Sequence, residues 1–439
     1  MVPVQADRPH QAVARCPVAR WTSDPPPSES PSRRGGTAAT HERYPRCIVA
    51  RLPHLDEPDD QPASTPSSGA AAPADNLLRL LTALPGRRDE ALAIVNGLFG
   101  DTLAERESTV AIPMTLRAGS QELPLDGGSL ADALPDATGR IAVLVHGLMS
   151  TESVWAFSHA PATSYGTLLA RDHGITTVSV RYNTGRHISV NGRELAQLLH
   201  RLVAAWPVRV SEINLVGHSM GGLVIRSACH YAAVTRPRHG RARFRRSWTS
   251  KVRRVVLIGV PNTGAPLEVF ANLTSATLWS LPIPAARLIG LGLDARSAGI
   301  KDLRFGAIVD EDWQEQDPDA RQRPVPHLVA SLRRAGYLIV AGSVTADPDH
   351  PLTRLIGDAL VTPSSASGTL GDSSGGSLFP GATVRLFPTV THIALASRPE
   401  IYDAIDRWWP EPRLRVTRRR GRSARRHAII DQDQPSLPS

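Results

Sequence analysis

Four things are scarce in this 439-residue chain. Cysteine is the first, with only Cys16, Cys47 and Cys229. Three thiols make no disulfide framework, and no C-x-x-C or H-E-x-x-H is present, so the sequence offers no metal site and no cofactor motif. Long apolar runs are the second. None is long enough to cross a membrane, and the first thirty or so positions lack the continuous apolar stretch of a secretory signal. The default expectation is therefore a cytoplasmic protein. Aromatics are the third, at 5%. Lysine is the fourth: of 50 basic residues only Lys251 and Lys301 are lysines, the rest being arginine.

Arginine is abundant, and with 41 acids the formal net charge is +9. Two acid-free clusters, 236–254 and 413–426, carry that excess. The second lies beyond the last expected helix and reads as a solvated tail, with weak contact to anionic surfaces as its functional alternative and no specific nucleic acid expected. Residues 1–75 are rich in Pro, Ser, Arg and Asp, and cannot bury enough apolar surface to offset ordering entropy, so they are expected to be disordered. The ordered domain is expected over 76–410, with 411–439 as the basic disordered tail.

Within the domain, apolar positions at helical spacing mark Leu77 to Leu84, Glu90 to Phe99, Tyr165 to Arg171, Arg193 to Trp206, Leu223 to Ala233 and Pro399 to Trp409. Short apolar, β-branched runs mark strands at Thr109 to Arg117, Glu122 to Leu125, Ile141 to Val145, Ile175 to Val180, Ile213 to Val216, Val255 to Val260, Tyr337 to Ala341 and Val384 to Phe387. Buried runs separated by helices imply an α/β class with a mostly parallel central sheet and helices on both faces. About 262–335 interrupts the alternation and reads as a cap inserted over the carboxyl ends of the strands, the alternative being ordinary helical packing on a sheet face.

The most informative stretch is Gly217-His218-Ser219-Met220-Gly221-Gly222. A bare G-x-S-x-G arises ~0.2 times by chance in a chain this long. Here a strand precedes it and a helix follows, the setting of a sharp turn that presents a serine hydroxyl. A serine nucleophile needs a general base, and the base needs an orienting carboxylate, both in loops at the carboxyl ends of strands. His392 is the candidate base, because it follows the last strand and precedes the last helix. His218, inside the turn, reads as packed, and His327 and His350 fit the order less well. Asp358 is the candidate acid, anchored by Ala359-Leu360-Val361, with Asp347, Asp349 and Asp372 as rivals. Two backbone donors should face the developing oxyanion: the amides of Leu148, after His146-Gly147, and Met220. Cys229 reads as a buried packing residue.

At these residues the chain resembles bacterial lipases and carboxylesterases of the α/β-hydrolase superfamily. The likeness rests on His146-Gly147-Leu148, the Gly217–Gly222 turn, Gly259-Val260-Pro261-Asn262-Thr263-Gly264-Ala265-Pro266, and the Asp358 and His392 loops, and spans about 110–410. Val260 stands where the family usually has Thr, and Asn262 where His is common. The resemblance implies the α/β-hydrolase fold and an acyl-serine mechanism without cofactor, acting on small-molecule esters. The aliphatic cap segment points to apolar or lipid-like ones. An acyltransferase using the same residues, or a non-catalytic Arg-rich module for nucleic acid or anionic membrane, are the alternatives.

Overall fold

A computed structural model of the chain describes residues 88–234, 247–265, 297–314, 326–347, 350–370 and 376–410. All of them fall in one compact unit, Pro66–Ser439. The N-terminal segment 1–75, the expected helix Leu77 to Leu84, most of the expected cap, the tail, Asp349 and Asp372 lie outside the described residues.

The chain opens with α1 (Arg88–Glu105), followed by β1 (Thr115–Ala118), β2 (Gln121–Leu123), α2 (Gly127–Ala133) and β3 (Arg140–Val145). A short hairpin, β4 (Ala156–Phe157) and β5 (Ala160–Ser164), leads into α3 (Tyr165–His173) and β6 (Thr176–Arg181). Then come α4 (Ile188–Ala205), β7 (Glu212–His218), α5 (Met220–Val234), β8 (Val252–Ile258) and α6 (Ala298–Phe305). The described part closes with β9 (Gly336–Ser343), α7 (Pro351–Ile356), α8 (Pro363–Ser367), β10 (Thr383–Pro388) and α9 (Pro399–Trp408).

Eight strands form one sheet in the order β10-β9-β8-β7-β3-β6-β1-β2. The six from β10 to β6 are mutually parallel; β1 runs antiparallel to β6, and β2 to β1. β3 lies between β6 and β7, so the chain goes out on one side of β3 and returns past it on the other. Such a reversal marks where ligands of open α/β sheets bind, and here it falls at the carboxyl ends of β3 and β7.

The sheet is buried on both faces, and the strand alternation sorts its side chains cleanly. Ile141, Val143, Val145, Ile213, Leu215, Val255 and Leu257 pack with α4, α5 and α1. Ala142, Leu144, Val216, Val256 and Ile258 point the other way and pack with α3 and α9. Apolar residues on both faces explain why these strands read as continuous apolar runs rather than alternating ones.

Several element bounds depart from the local pattern, each for a traceable reason. The strand expected from Thr109 begins only at Thr115, because the segment ahead of it is captured by α1. The Asn96 side chain donates to Val110 O (2.8 Å) and accepts from Ile112 N (2.9 Å). Helix α4 begins at Ile188, ahead of Arg193, because the buried carboxylate of Asp302 accepts the Ile188 amide at 2.8 Å. A distant carboxylate thus satisfies one of the free amides of a helix N-terminus. Of the described parts of the expected cap, the segment 297–314 is built into the body. Ile300 and Leu303 join the core beneath α6, Ser297 Oγ donates to Gly97 O (2.7 Å), and the Ala298 amide donates to Asp101 Oδ2 (2.8 Å). Cys229 is buried on α5, as expected of a packing thiol.

The last helix closes the sheet from the side of α3. Tyr165 Oη donates to Leu395 O (2.8 Å) at one end of this layer. At the other, Arg254, near the start of β8, donates through Nε to Trp409 O (2.7 Å) and pairs with Glu212 (2.6 Å).

Candidate active site

Ser219 is the last residue before α5 and adopts a left-handed backbone, φ 53°. A non-glycine residue rarely does so without surrounding structure that enforces it. Two close approaches enforce it here. A Cβ on Gly217 would lie 2.7 Å from the Gly222 backbone, and one on Gly221 would overlap the carbonyl oxygens of Val145 and His146. Only glycine at both positions lets β7 and α5 meet at so sharp an angle beside β3. The Ser219 amide donates to Ile258 O (2.9 Å), which ties the turn to the end of β8. The serine itself is 6% exposed, at the carboxyl edge of the sheet.

Asp358 follows α7 and is buried. Its Oδ1 accepts the amides of Leu360 (3.0 Å) and Val361 (2.8 Å), so the apolar anchor proposed from sequence holds the carboxylate through its backbone. Oδ2 lies 2.9 Å from His392 Nδ1, and the His392 amide donates to Asp358 O (3.0 Å). A carboxylate facing Nδ1 accepts its proton, so the neutral tautomer this geometry selects has its lone pair on Nε2. Asp347 is exposed on its loop, His350 caps α7, and His327 pairs with Asp312.

The structure brings His392 to the same strand ends as Ser219. The His392 ring lies 4.9 Å from that of His218, the residue before the serine. A Cβ on Gly259, directly after the Ile258 carbonyl that holds Ser219, would be 3.1 Å from His392 Cε1. The loop after β3 closes the third side: a Cβ on Gly147 would be 2.9 Å from Ser219 Cβ. Leu148 and Met220 are both buried beside the serine, and their amides donate to no acceptor among the described residues.

Two further histidines, His146 and His218, line this region and are buried in the packing. His218 Nε2 donates to His392 O (3.0 Å), so its proton is on Nε2; Nδ1 is buried with no partner among the described residues. Burial, and secondarily the neighbouring His392, pushes its pKa down to about 3. His146 Nδ1 donates to Gly147 O (2.9 Å), its ring stacks on Tyr182, and burial pushes its pKa down to about 4.

Both rings are neutral in the fold but take up protons in the unfolded chain once pH falls below the ordinary value of 6.5. The unfolded state then binds more protons, so their contribution to stability is intact above pH 6.5 and is lost progressively toward pH 4. The urea midpoint should fall between pH 7 and pH 4.5, and His218→Gln, which keeps a donor toward His392 O, should reduce that fall. An equal fall in the variant would mean that His218 is not held neutral.

Residues the sequence reading passed over lie next to this site. The run Tyr182-Asn183-Thr184-Gly185 follows β6, whose neighbour is β3. Tyr182 Oη donates to His146 O (2.9 Å), and Thr184 Oγ1 accepts from Met149 N (3.2 Å). The available signal was a cluster of polar residues at the carboxyl end of a strand.

The strand order, the crossover at β3 and the serine turn after β7 define an α/β-hydrolase fold. The family model described as "Domain of unknown function (DUF7379)" matches residues 119–279, which include Ser219 but neither Asp358 nor His392. No curated protein matches the chain. Solved structures similar to it include the mature form of lipase BlEst2 from Bacillus licheniformis, at 18% identity over 62% of this chain and 91% of that one, with a TM-score of 0.37. Esterase RhEst1 from Rhodococcus sp. ECU1013 is 17% identical over 62% and 91%, with a TM-score of 0.35. Carboxylesterase CesB (YbfK) from Bacillus subtilis is 12% identical over 62% and 83%, with a TM-score of 0.34.

Proposed function

We propose that the protein is a serine hydrolase of carboxylic esters, of the lipase or esterase type. The observation that carries this reading is the buried Asp358–His392 hydrogen bond of 2.9 Å, set at the strand ends where a left-handed Ser219 is held. Ser219 Oγ attacks the ester carbonyl, and His392 Nε2 takes its proton. Asp358 keeps the imidazole in the required tautomer and stabilises the imidazolium. The amides of Leu148 and Met220 stabilise the oxyanion of the tetrahedral intermediate. His392 then protonates the departing alcohol. In the second half-reaction it draws a proton from water, which attacks the acyl-serine and releases the acid.

The substrate class is a small ester with an apolar acyl or alcohol group. Hydrolysis of p-nitrophenyl esters from acetyl to palmitoyl tests this, together with labelling by an alkyl fluorophosphonate. Turnover, and a phosphonyl adduct on the peptide carrying Ser219, are the expected results. A folded protein with no turnover and no adduct overturns the reading.

A further inference from the structure

The hydrolase reading requires the Leu148 amide to aim at the developing charge, and it leaves open what sets that aim. The loop 146–150 is held partly from within, by His146 Nδ1 on Gly147 O and Ser150 Oγ on Leu148 O, and partly from outside. Met149 is left-handed, φ 56°, which a flexible non-glycine residue leaves unless neighbours hold it. The neighbours are side chains after β6. Thr184 Oγ1 accepts the Met149 amide (3.2 Å), which belongs to the peptide unit directly following Leu148. Ser150 Oγ donates to the carbonyl of that same unit (3.3 Å). Tyr182 Oη fixes the His146 carbonyl at 2.9 Å, one peptide ahead of Gly147. These bonds hold the peptide units before and after the Gly147–Leu148 unit, whose own carbonyl accepts from His146 Nδ1, and together they restrict the direction of the Leu148 N–H.

The turn that carries Tyr182 and Thr184 is in turn held by α1. Asn183 Nδ2 donates to Gly100 O (2.8 Å), and Gly185 N donates to Asn183 Oδ1 (3.0 Å). Any Cβ on Gly97 would overlap Met149, and one on Gly185 would overlap the Asn96 carbonyl. Helix α1 therefore touches the Met149 loop and the turn behind it. It also precedes the segment 119–279 that the family model matches.

We infer that Thr184 and Tyr182 are positioning residues for the Leu148 amide, with α1 as the brace behind them. The inference rests on the hydrolase reading and adds to it which groups aim the oxyanion donor. Their removal should weaken transition-state stabilisation while sparing ground-state binding.

The test compares Thr184→Val, which keeps the shape and removes the acceptor, with Thr184→Ser, which restores it, and Tyr182→Phe, which keeps the ring against His146. Each is assayed for kcat and KM with the best ester of the series, and for inhibition by an alkylboronic acid. In that adduct Ser219 Oγ adds to boron, its proton passes to His392, and a boron-bound oxygen sits where the oxyanion forms. Thr184→Val should lose about tenfold in kcat, as expected for a misplaced rather than absent donor, with KM within about twofold. Boronate affinity should fall in step, and Thr184→Ser should recover most of both. Tyr182→Phe should shift kcat in the same sense, and it carries the test if Thr184→Val does not fold. Unchanged kcat and boronate affinity in the foldable variants overturn the inference, as does an equal loss in Thr184→Ser. Failure of the hydrolase reading is distinguishable, since the wild-type protein would then take no fluorophosphonate on Ser219.

Discussion

Replacing Ser219 with alanine should lower kcat for ester hydrolysis by about a millionfold, the scale seen when a serine nucleophile is removed from a working triad. Alanine removes the attacking oxygen and little else. The turn is fixed by the Ser219 backbone amide on Ile258 O and by the two glycine contacts, none of which uses the hydroxyl. Thermal melting of the variant should therefore stay within a few degrees of the wild type. A residual rate above water is expected from the oxyanion donors alone. The measurement is steady-state hydrolysis with enzyme in large excess over any contaminating esterase, beside a melting curve. Turnover within tenfold of the wild type would remove Ser219 from the mechanism.

Asp358→Asn should lower kcat by about ten-thousandfold, and the geometry says why a neutral isostere is so damaging. Asp358 Oδ1 accepts two backbone amides, from Leu360 and Val361. Those amides only donate, so they hold an asparagine with its carbonyl oxygen toward them and its NH₂ toward His392 Nδ1. The imidazole would then carry its proton on Nε2, facing the serine, and could no longer act as base. Fold and substrate binding should persist, because shape and both backbone bonds survive. The check is kcat and KM across pH for both proteins. A loss below tenfold would mean that another carboxylate orients His392.

The serine turn was legible in the sequence because steric necessity is local. Glycines at positions 217 and 221 are required by contacts within a strand–turn–helix unit and with the adjacent strand, and that requirement leaves a spacing on the chain. Asp358 was legible for a related reason, since the residues that hold it are its immediate successors. The early start of α4 and the late start of β1 were not. Each is decided by one side chain, Asp302 or Asn96, from a different element. Periodicity records which face of an element is apolar, and it carries no trace of a distant carboxylate that takes a helix amide. The turn at 182–185 escaped for the same reason: its partners, His146 and Met149, are set by the pairing of β3 with β6. Of the cap expected over about 262–335, the segment at α6 packs into the core through Ile300 and Leu303, while most of the rest lies outside the described residues.

The bond from Arg254 to Trp409 has a practical bearing on handling the protein. Arg254 stands at the start of β8, whereas Ser219 and His392 adjoin its end. The described chain thus finishes at the floor of the sheet, with the guanidinium lying over the Trp409 ring at 5.2 Å as a clasp. In a chain shortened to end at Pro410, an affinity tag, a fluorophore or a solid support joined there would set out from the side away from the serine.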